Sequence, residues 1–358
     1  MATMASLLEH KLIVVTGKGG TGKTTVACAL GLLAARGGLR TIVAEVGSQH
    51  RLPTLFGLPH TAETGVEVEL EERLWSTSID PDRALIEWLR TLGGRISVRM
   101  LAASSSFHYF AAAAPGAKEL VSMVKVRELC EGRHRRKGTE RYDLVVLDAP
   151  ATGHALAMLS SPQTFSAIVR AGPLADQAQG VRELLEDRKR SAYVAVTHAT
   201  EMAVTETLEL EEGLRRRLDR DLDAVVVNGT VPRRFTKQEL ARILDATGTH
   251  SHAKPTGDGR TDGDARASAD APSVDGERLA GPAAHAVADD ARLVDSAARA
   301  ARAVYEQARL QQSQIARLRR QRFAGGAPPG IITIPFAFVP ELNLAAVRDI
   351  AAHLERKL

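Results

Sequence analysis

The feature that most constrains this chain is Gly17-Lys18-Gly19-Gly20-Thr21-Gly22-Lys23-Thr24, which fits the spacing G-x-x-x-x-G-K-[ST]. A loop of this kind works only where a strand delivers it and a helix leaves it. Both are expected here. Leu12 to Thr16 is a short apolar, β-branched run and reads as a buried strand. Val26 to Gly37 is apolar with small residues, and Gly37-Gly38 closes it, so it reads as a helix packed on a sheet. Leu39 to Val46 is the next buried strand. Strand, turn, helix, strand is a βαβ unit, which calls for a parallel sheet.

The loop's composition dictates what it holds. Its glycines let backbone N–H groups point inward at phosphates, so Gly19, Gly20, Thr21, Gly22 and Thr25 are candidate nucleotide contacts. Lys23 would reach the β- and γ-phosphates, and the Thr24 hydroxyl would bind Mg²⁺. The helix that starts near Thr24 offers its positive end to the anion. YDLVVLD, residues 142–148, is another buried strand, and its terminal Asp148 fits the carboxylate that holds Mg²⁺ beside such a loop. The expected ligands are ATP and Mg²⁺.

Further β-branched runs lie at 192–198, 223–229 and 331–336, with helical stretches at 200–220, about 283–322 and from about Leu344 onward. The expected fold is an α/β P-loop NTPase, a mostly parallel sheet flanked by helices, forming one domain over 1–358. A helical subdomain over 82–137 is inserted in its first half and closed by the basic loop 133–137. Between Leu244 and Val274 there is no Val, Ile, Leu, Met, Phe, Tyr or Trp. Such a stretch cannot bury enough surface to offset its ordering entropy, so 245–280 is expected to be a disordered insertion.

Composition excludes several classes. Aromatics are 4% of the chain, so the core must be aliphatic. A net charge of +4 is too small to argue for nucleic acid as a partner. The two cysteines, Cys28 and Cys130, form no CxxC or Cys/His cluster, which indicates neither a disulfide framework nor a zinc site. They also do not fit a shared iron–sulfur cluster. No run reaches about 18 apolar residues, and MATMASLLEHK lacks the pattern of a signal peptide. A cytoplasmic location is expected, with any membrane association passing through a partner.

The loop carries a second lysine, Lys18, and K-G-G-x-G-K-[ST] resembles the deviant Walker A motif. In that group two subunits face each other across ATP. The resemblance implies that Lys18 reaches the partner's nucleotide, as a cation placed on charge that develops in phosphoryl transfer. After Asp148 the chain reads Ala149-Pro150-Ala151-Thr152-Gly153-His154. This resembles the D-x-x-x-T-G-H switch of the ArsA-like family of arsenite-efflux and tail-anchored-protein-targeting ATPases. Septum-positioning and partition ATPases share the lysine loop but not T-G-H. The resemblance implies that Gly153 donates to the γ-phosphate and that His154 passes the change to the helical segment. Ala114-Pro115-Gly116-Ala117-Lys118-Glu119-Leu120 is similar to the family's A-P-G-x-x-E-L. Val227-Asn228-Gly229 is similar to the strand end whose asparagine bonds adenine, and Pro335-Phe336 through Pro340-Glu341-Leu342 to the loop that covers the base.

The departures are as informative. The family's first switch carries an aspartate after the second strand, which orients the attacking water. Here Gly47 takes that place, within Glu45-Val46-Gly47-Ser48-Gln49-His50. Either Glu45 substitutes, or Gln49 does, or hydrolysis is slow. The interfacial zinc cysteines and the arsenite-binding cysteines of the family are missing, and there is one nucleotide domain. The expectation is a dimeric ATPase, homodimer or heterodimer with a paralogous ATPase, with Lys18, Lys23, Asp148 and Glu45 as catalytic candidates. Its partner would be a hydrophobic client or a membrane protein rather than arsenite. The alternatives are a positioning ATPase of the septum or partition type, or an ATP-binding regulatory subunit with weak hydrolysis.

Overall fold

A computed structural model describes residues 4–59, 64–88, 116–132, 141–168, 173–246, 282–320, 329–339 and 343–357. The chain is described in two compact units. Met1–Thr230 with Leu310–Leu358 forms the first unit, and Val231–Arg309 the second.

The first unit is built on eight strands: β1 Leu12–Gly17, β2 Thr41–Val46, β3 Val68–Glu71, β4 Leu74–Ile79, β5 Leu144–Ala151, β6 Ser191–His198, β7 Ala224–Thr230 and β8 Gly330–Pro335. Their order is β3-β4-β2-β5-β1-β6-β7-β8. All neighbours pair in parallel except β3 and β4. The mostly parallel sheet flanked by helices is therefore as expected. β1, β2, β5, β6 and β7 are the continuous aliphatic runs read from sequence, and their parallel pairing explains why they are buried on both faces.

β3 and β4 had no such signal. VELE and LWSTSI are short and carry polar side chains, and Glu72-Arg73 turns one into the other with Arg73 at φ 63°. They form the sheet's edge, where charge such as Glu69 discourages further pairing.

The sheet separates two aliphatic cores. One lies against the helices Ala117–Glu131, Thr152–Ile168, Pro173–Glu186 and Glu201–Leu218. The other lies against Lys23–Arg36 and Leu344–Glu355. Lys23–Arg36 has every residue from Thr25 to Ala35 buried, so it is the central helix of its layer rather than a surface one. Asn343 caps the last helix by accepting from Ala346 N at 3.0 Å. Cys28 and Cys130 are both buried and free.

In the second unit the helix Lys237–Ala246 opens with a capping box. Thr236 N donates to Glu239 Oε2 at 2.8 Å and Glu239 N donates back to Thr236 Oγ1 at 3.2 Å. Residues up to Arg309 of the long helix Pro282–Arg320 complete this unit. Residues 82–88 and Ala117–Glu131 of the expected helical subdomain are helical. Positions 89–115 of that subdomain, Ala114-Pro115 among them, the basic loop 133–137, positions 247–280 of the insertion, and Pro340 to Leu342 lie outside the described residues.

Candidate nucleotide site

β1 is flanked by β5 and β6, and its carboxyl end delivers the glycine loop to the middle of the sheet edge where such folds bind ligands. Two glycines are fixed by packing. Gly17 has φ 142°, and a Cβ there would lie 2.1 Å from the Val196 carbonyl oxygen of β6. Gly22 has φ 91°, and a Cβ would lie 2.5 Å from Asn228 Nδ2. No side chain caps the helix that begins at Lys23. Its first N–H groups are therefore left for an anion.

Thr24 and Asp148 meet here. The Thr24 hydroxyl donates to Asp148 Oδ2 at 2.6 Å. Asp148 Oδ1 is buried with no hydrogen-bond partner. Burial raises the Asp148 pKa, while the Thr24 hydroxyl and the Lys23 cation oppose that shift. A buried carboxylate oxygen left bare beside a hydroxyl is a hard-oxygen pair that suits Mg²⁺. The residues present therefore fit the ion.

The two lysines are both occupied. Lys23 Nζ donates to the Lys18 carbonyl at 3.2 Å, and Thr21 Oγ1 donates to the same oxygen at 2.8 Å. Burial lowers the Lys23 pKa and Asp148 opposes the shift, so a phosphate would favour its charge. Lys18 Nζ instead pairs with Glu206 Oε1 at 2.7 Å, on the helix Glu201–Leu218 of the same chain. Glu206 was not singled out in the sequence, because one glutamate on an acidic helix face carries no signal.

Glu45 stands across from Asp148 in the β2–β5 register. Its side chain is 5% exposed, and Oε2 accepts from Arg51 N at 3.0 Å and Leu52 N at 3.2 Å. It thus caps the short turn Leu52–Leu55 and holds the loop after β2. Burial pushes its pKa up to about 7, with Asp148 adding to the rise and the two backbone N–H groups opposing it. A cavity of about 370 Å³ opens between this loop and the phosphate loop, lined by Lys23, Thr24, Glu45, Gln49, Arg51 and Asp148 among others. Gly47 lines it too, at φ 147° with open space around its missing Cβ.

Thr16 Oγ1 ties β1 to the end of β5 by donating to the Pro150 carbonyl at 3.1 Å. Thr152-Gly153-His154 forms the first turn of the helix Thr152–Ile168, with Gly153 and His154 exposed. On the other side of the loop, Asn228 Nδ2 donates to the Thr21 carbonyl at 2.9 Å, so Asn228 braces the loop directly. Phe336 follows β8 and its backbone N–H donates to the Thr230 carbonyl at 2.9 Å. Phe336 and Phe338 are 51% and 76% exposed and meet edge to face with centroids 4.9 Å apart. Pro335, just before them, is exposed as well.

The family model described as anion-transporting ATPase matches residues 10–172, which contain the glycine loop, the loop after β2 and Asp148 to His154. ATPase BagA of Mycobacterium tuberculosis is 30% identical over 241 residues, covering 66% of this chain and 69% of that protein. The chain belongs to the anion-transporting ATPase family. By class it is an ATPase. More distant similarity reaches a putative arsenical pump-driving ATPase of Prosthecochloris vibrioformis, 26% identical over 55% of this chain and 56% of that protein. ATPase GET3B of Arabidopsis thaliana is 25% identical over 64% of this chain and 66% of its own length. No helix among the described residues is long and apolar enough to cross a membrane.

Proposed function

We propose that this ATPase binds ATP with Mg²⁺ at the carboxyl ends of β1 and β5 and hydrolyses it as one half of a dimer. Nucleotide state then reshapes the helical segment within 82–137, which engages a hydrophobic protein client or a membrane partner. The observation that carries the reading is the Thr24–Asp148 pair at 2.6 Å beside an uncapped helix start, with Asp148 Oδ1 bare. Bound there through Thr24 and Asp148, Mg²⁺ would neutralise phosphate charge.

The chain's own groups divide the work. Lys23 leaves the Lys18 carbonyl for the β- and γ-phosphates. Backbone N–H groups of Gly19 to Thr25 cradle the anion. Gly153, at the first turn of its helix, donates to the γ-phosphate and so reports its presence to that helix. Asn228 holds the loop from behind, and Pro335 and Phe336 offer an apolar surface to the base. Lys18 leaves Glu206 to reach the nucleotide of the facing subunit. Arsenite is disfavoured as cargo because burial pushes both thiols, Cys28 and Cys130, up to about 12 and away from the thiolate form that binds soft metalloids.

A second reading is an ATP-binding subunit with slow turnover, paired with a paralogue. Gly47 favours it, since no carboxylate stands at that position. Sedimentation with ADP and with a non-hydrolysable ATP analogue plus Mg²⁺ tests the proposal. A monomer with ADP and a dimer with the analogue support it. A monomer with both, despite tight analogue binding, supports the second reading and removes the self-sufficient dimer.

A further inference from the structure

The loop after β2 lacks a carboxylate at Gly47 but carries a cation four residues later, and that cation lines the same cavity as Lys23, Thr24 and Asp148. Arg51 Nε and Nη2 converge on Gln49 Oε1 at 3.1 and 3.0 Å. Its remaining N–H donors make no hydrogen bond to the described residues, and no carboxylate among them pairs with its guanidinium. Its backbone is not loose, because Glu45 Oε2 holds Arg51 N from beneath. An arginine with a fixed base, no carboxylate in ion-pair contact and a place in the cavity beside the phosphate loop, where its charge already favours the ionised forms of Glu45 and Asp148, is built to meet phosphate oxygens in fork geometry.

We propose that Arg51 is a catalytic residue of this ATPase, a cation supplied in cis to the transferring phosphoryl group, with Gln49 as the group that positions the water. The inference rests on the ATPase reading of this cavity. Arg51 rests on Gln49. When its guanidinium moves to the γ-phosphoryl oxygens, Gln49 Oε1 is released to accept from the attacking water. One side-chain movement thus arms both groups. The water oxygen forms the new bond to phosphorus, and the β–γ bridging P–O bond breaks with its electron pair going to ADP. The water proton passes to a phosphate oxygen, so inorganic phosphate and ADP are the products. The charge that spreads over the equatorial oxygens on the way is what a guanidinium stabilises more than an ammonium point charge can. Gly47 fits this arrangement, because it adds no carboxylate to the cavity that Arg51 lines.

The test compares the unmodified chain with Arg51→Ala, Arg51→Lys and Gln49→Ala. It reads turnover at saturating ATP, KM, and affinity for ADP with aluminium fluoride, a mimic of the transferring group. Arg51→Ala is expected to lower turnover by roughly 10²- to 10³-fold with KM changed less than about threefold, and to weaken the fluoride complex by a similar factor. Arg51→Lys recovers only a small part, and added guanidinium ion partly restores the alanine variant. A raised KM with turnover intact would make Arg51 a ground-state phosphate contact and overturn the proposal. So would equal fluoride-complex affinity in the unmodified chain and Arg51→Ala, a comparison that still decides if basal turnover is slow. Failure of the unmodified chain to bind ATP at all would instead overturn the underlying assignment of the cavity.

Discussion

The loops after β1 and β2 emerge at the same end of the sheet, with only β5 between their strands, yet they are built in opposite ways. The phosphate loop is locked. Gly17 packs on Val196, Thr21 and Lys23 both donate to the Lys18 carbonyl, and Asn228 braces Thr21. The loop after β2 is held through its backbone and the buried His50, by Gly47 N on the Ile79 carbonyl at 2.9 Å, His50 Nε2 with Ser76 Oγ at 2.8 Å and Glu45 beneath Arg51 and Leu52, while its exposed side chains Gln49 and Arg51 hold only each other. The first loop is fixed down to its glycines, whereas the second is fixed in its backbone and leaves two long polar side chains at the cavity.

The contrast sets an order of expected effects. The largest belongs to the locked loop. Lys23→Ala should abolish measurable ATP hydrolysis and lower ATP affinity by at least about a hundredfold, as read by nucleotide titration, since it removes a charge-assisted phosphate contact in a partly buried site. Retained affinity would mean that the backbone alone holds the phosphates. Gly22→Ala should follow, because a Cβ there meets Asn228 at 2.5 Å with φ at 91°. A stability loss of about 1–3 kcal/mol is expected by chemical denaturation, together with weaker ATP binding.

In the loop after β2 the effects are smaller and split by chemistry. Glu45→Ala leaves two backbone N–H groups without their acceptor and should cost about 1–3 kcal/mol, whereas Glu45→Gln keeps an acceptor and should retain most of the activity. Equal loss of turnover in both variants, at unchanged stability, would instead make Glu45 the group that handles water. Its titration gives a sign. The unfolded carboxyl ionises near 4.5 and the folded one near 7, so the unfolded chain releases its proton first. Stability without Mg²⁺ should therefore fall as pH rises from about 4.5 to 7, and Glu45→Gln should flatten that slope in denaturation curves. The smallest effect is expected at the Lys18–Glu206 pair. Its groups are 32% and 34% exposed, so the pair is worth under about 1 kcal/mol, and Glu206→Ala should shift the concentration for half-maximal activity by only a few-fold.

How far the sequence could be read follows the same division. β1, β2, β5, β6 and β7 were legible because burial on both faces demands unbroken aliphatic runs, and the phosphate loop because its glycines answer to backbone constraint. β3 and β4 were not, since VELE and LWSTSI mix polar and apolar residues at an edge. Asp148 and Thr24 could be named from motif and strand end. The roles of Glu206 and Arg51 could not, because each depends on a partner distant in the chain or on a loop path that no spacing encodes. Asn228 was tied to the base by resemblance, while its amide is seen bracing Thr21, a contact 207 residues away in sequence.

The most direct measurement is Mg²⁺-dependent ATP hydrolysis against protein concentration, for the unmodified chain and Lys18→Ala. Specific activity that rises with concentration and collapses in the variant is the result expected of a self-sufficient dimer in which Lys18 acts across the interface. Specific activity independent of concentration and unchanged by Lys18→Ala would contradict it, and would leave Lys18 as no more than the partner of Glu206.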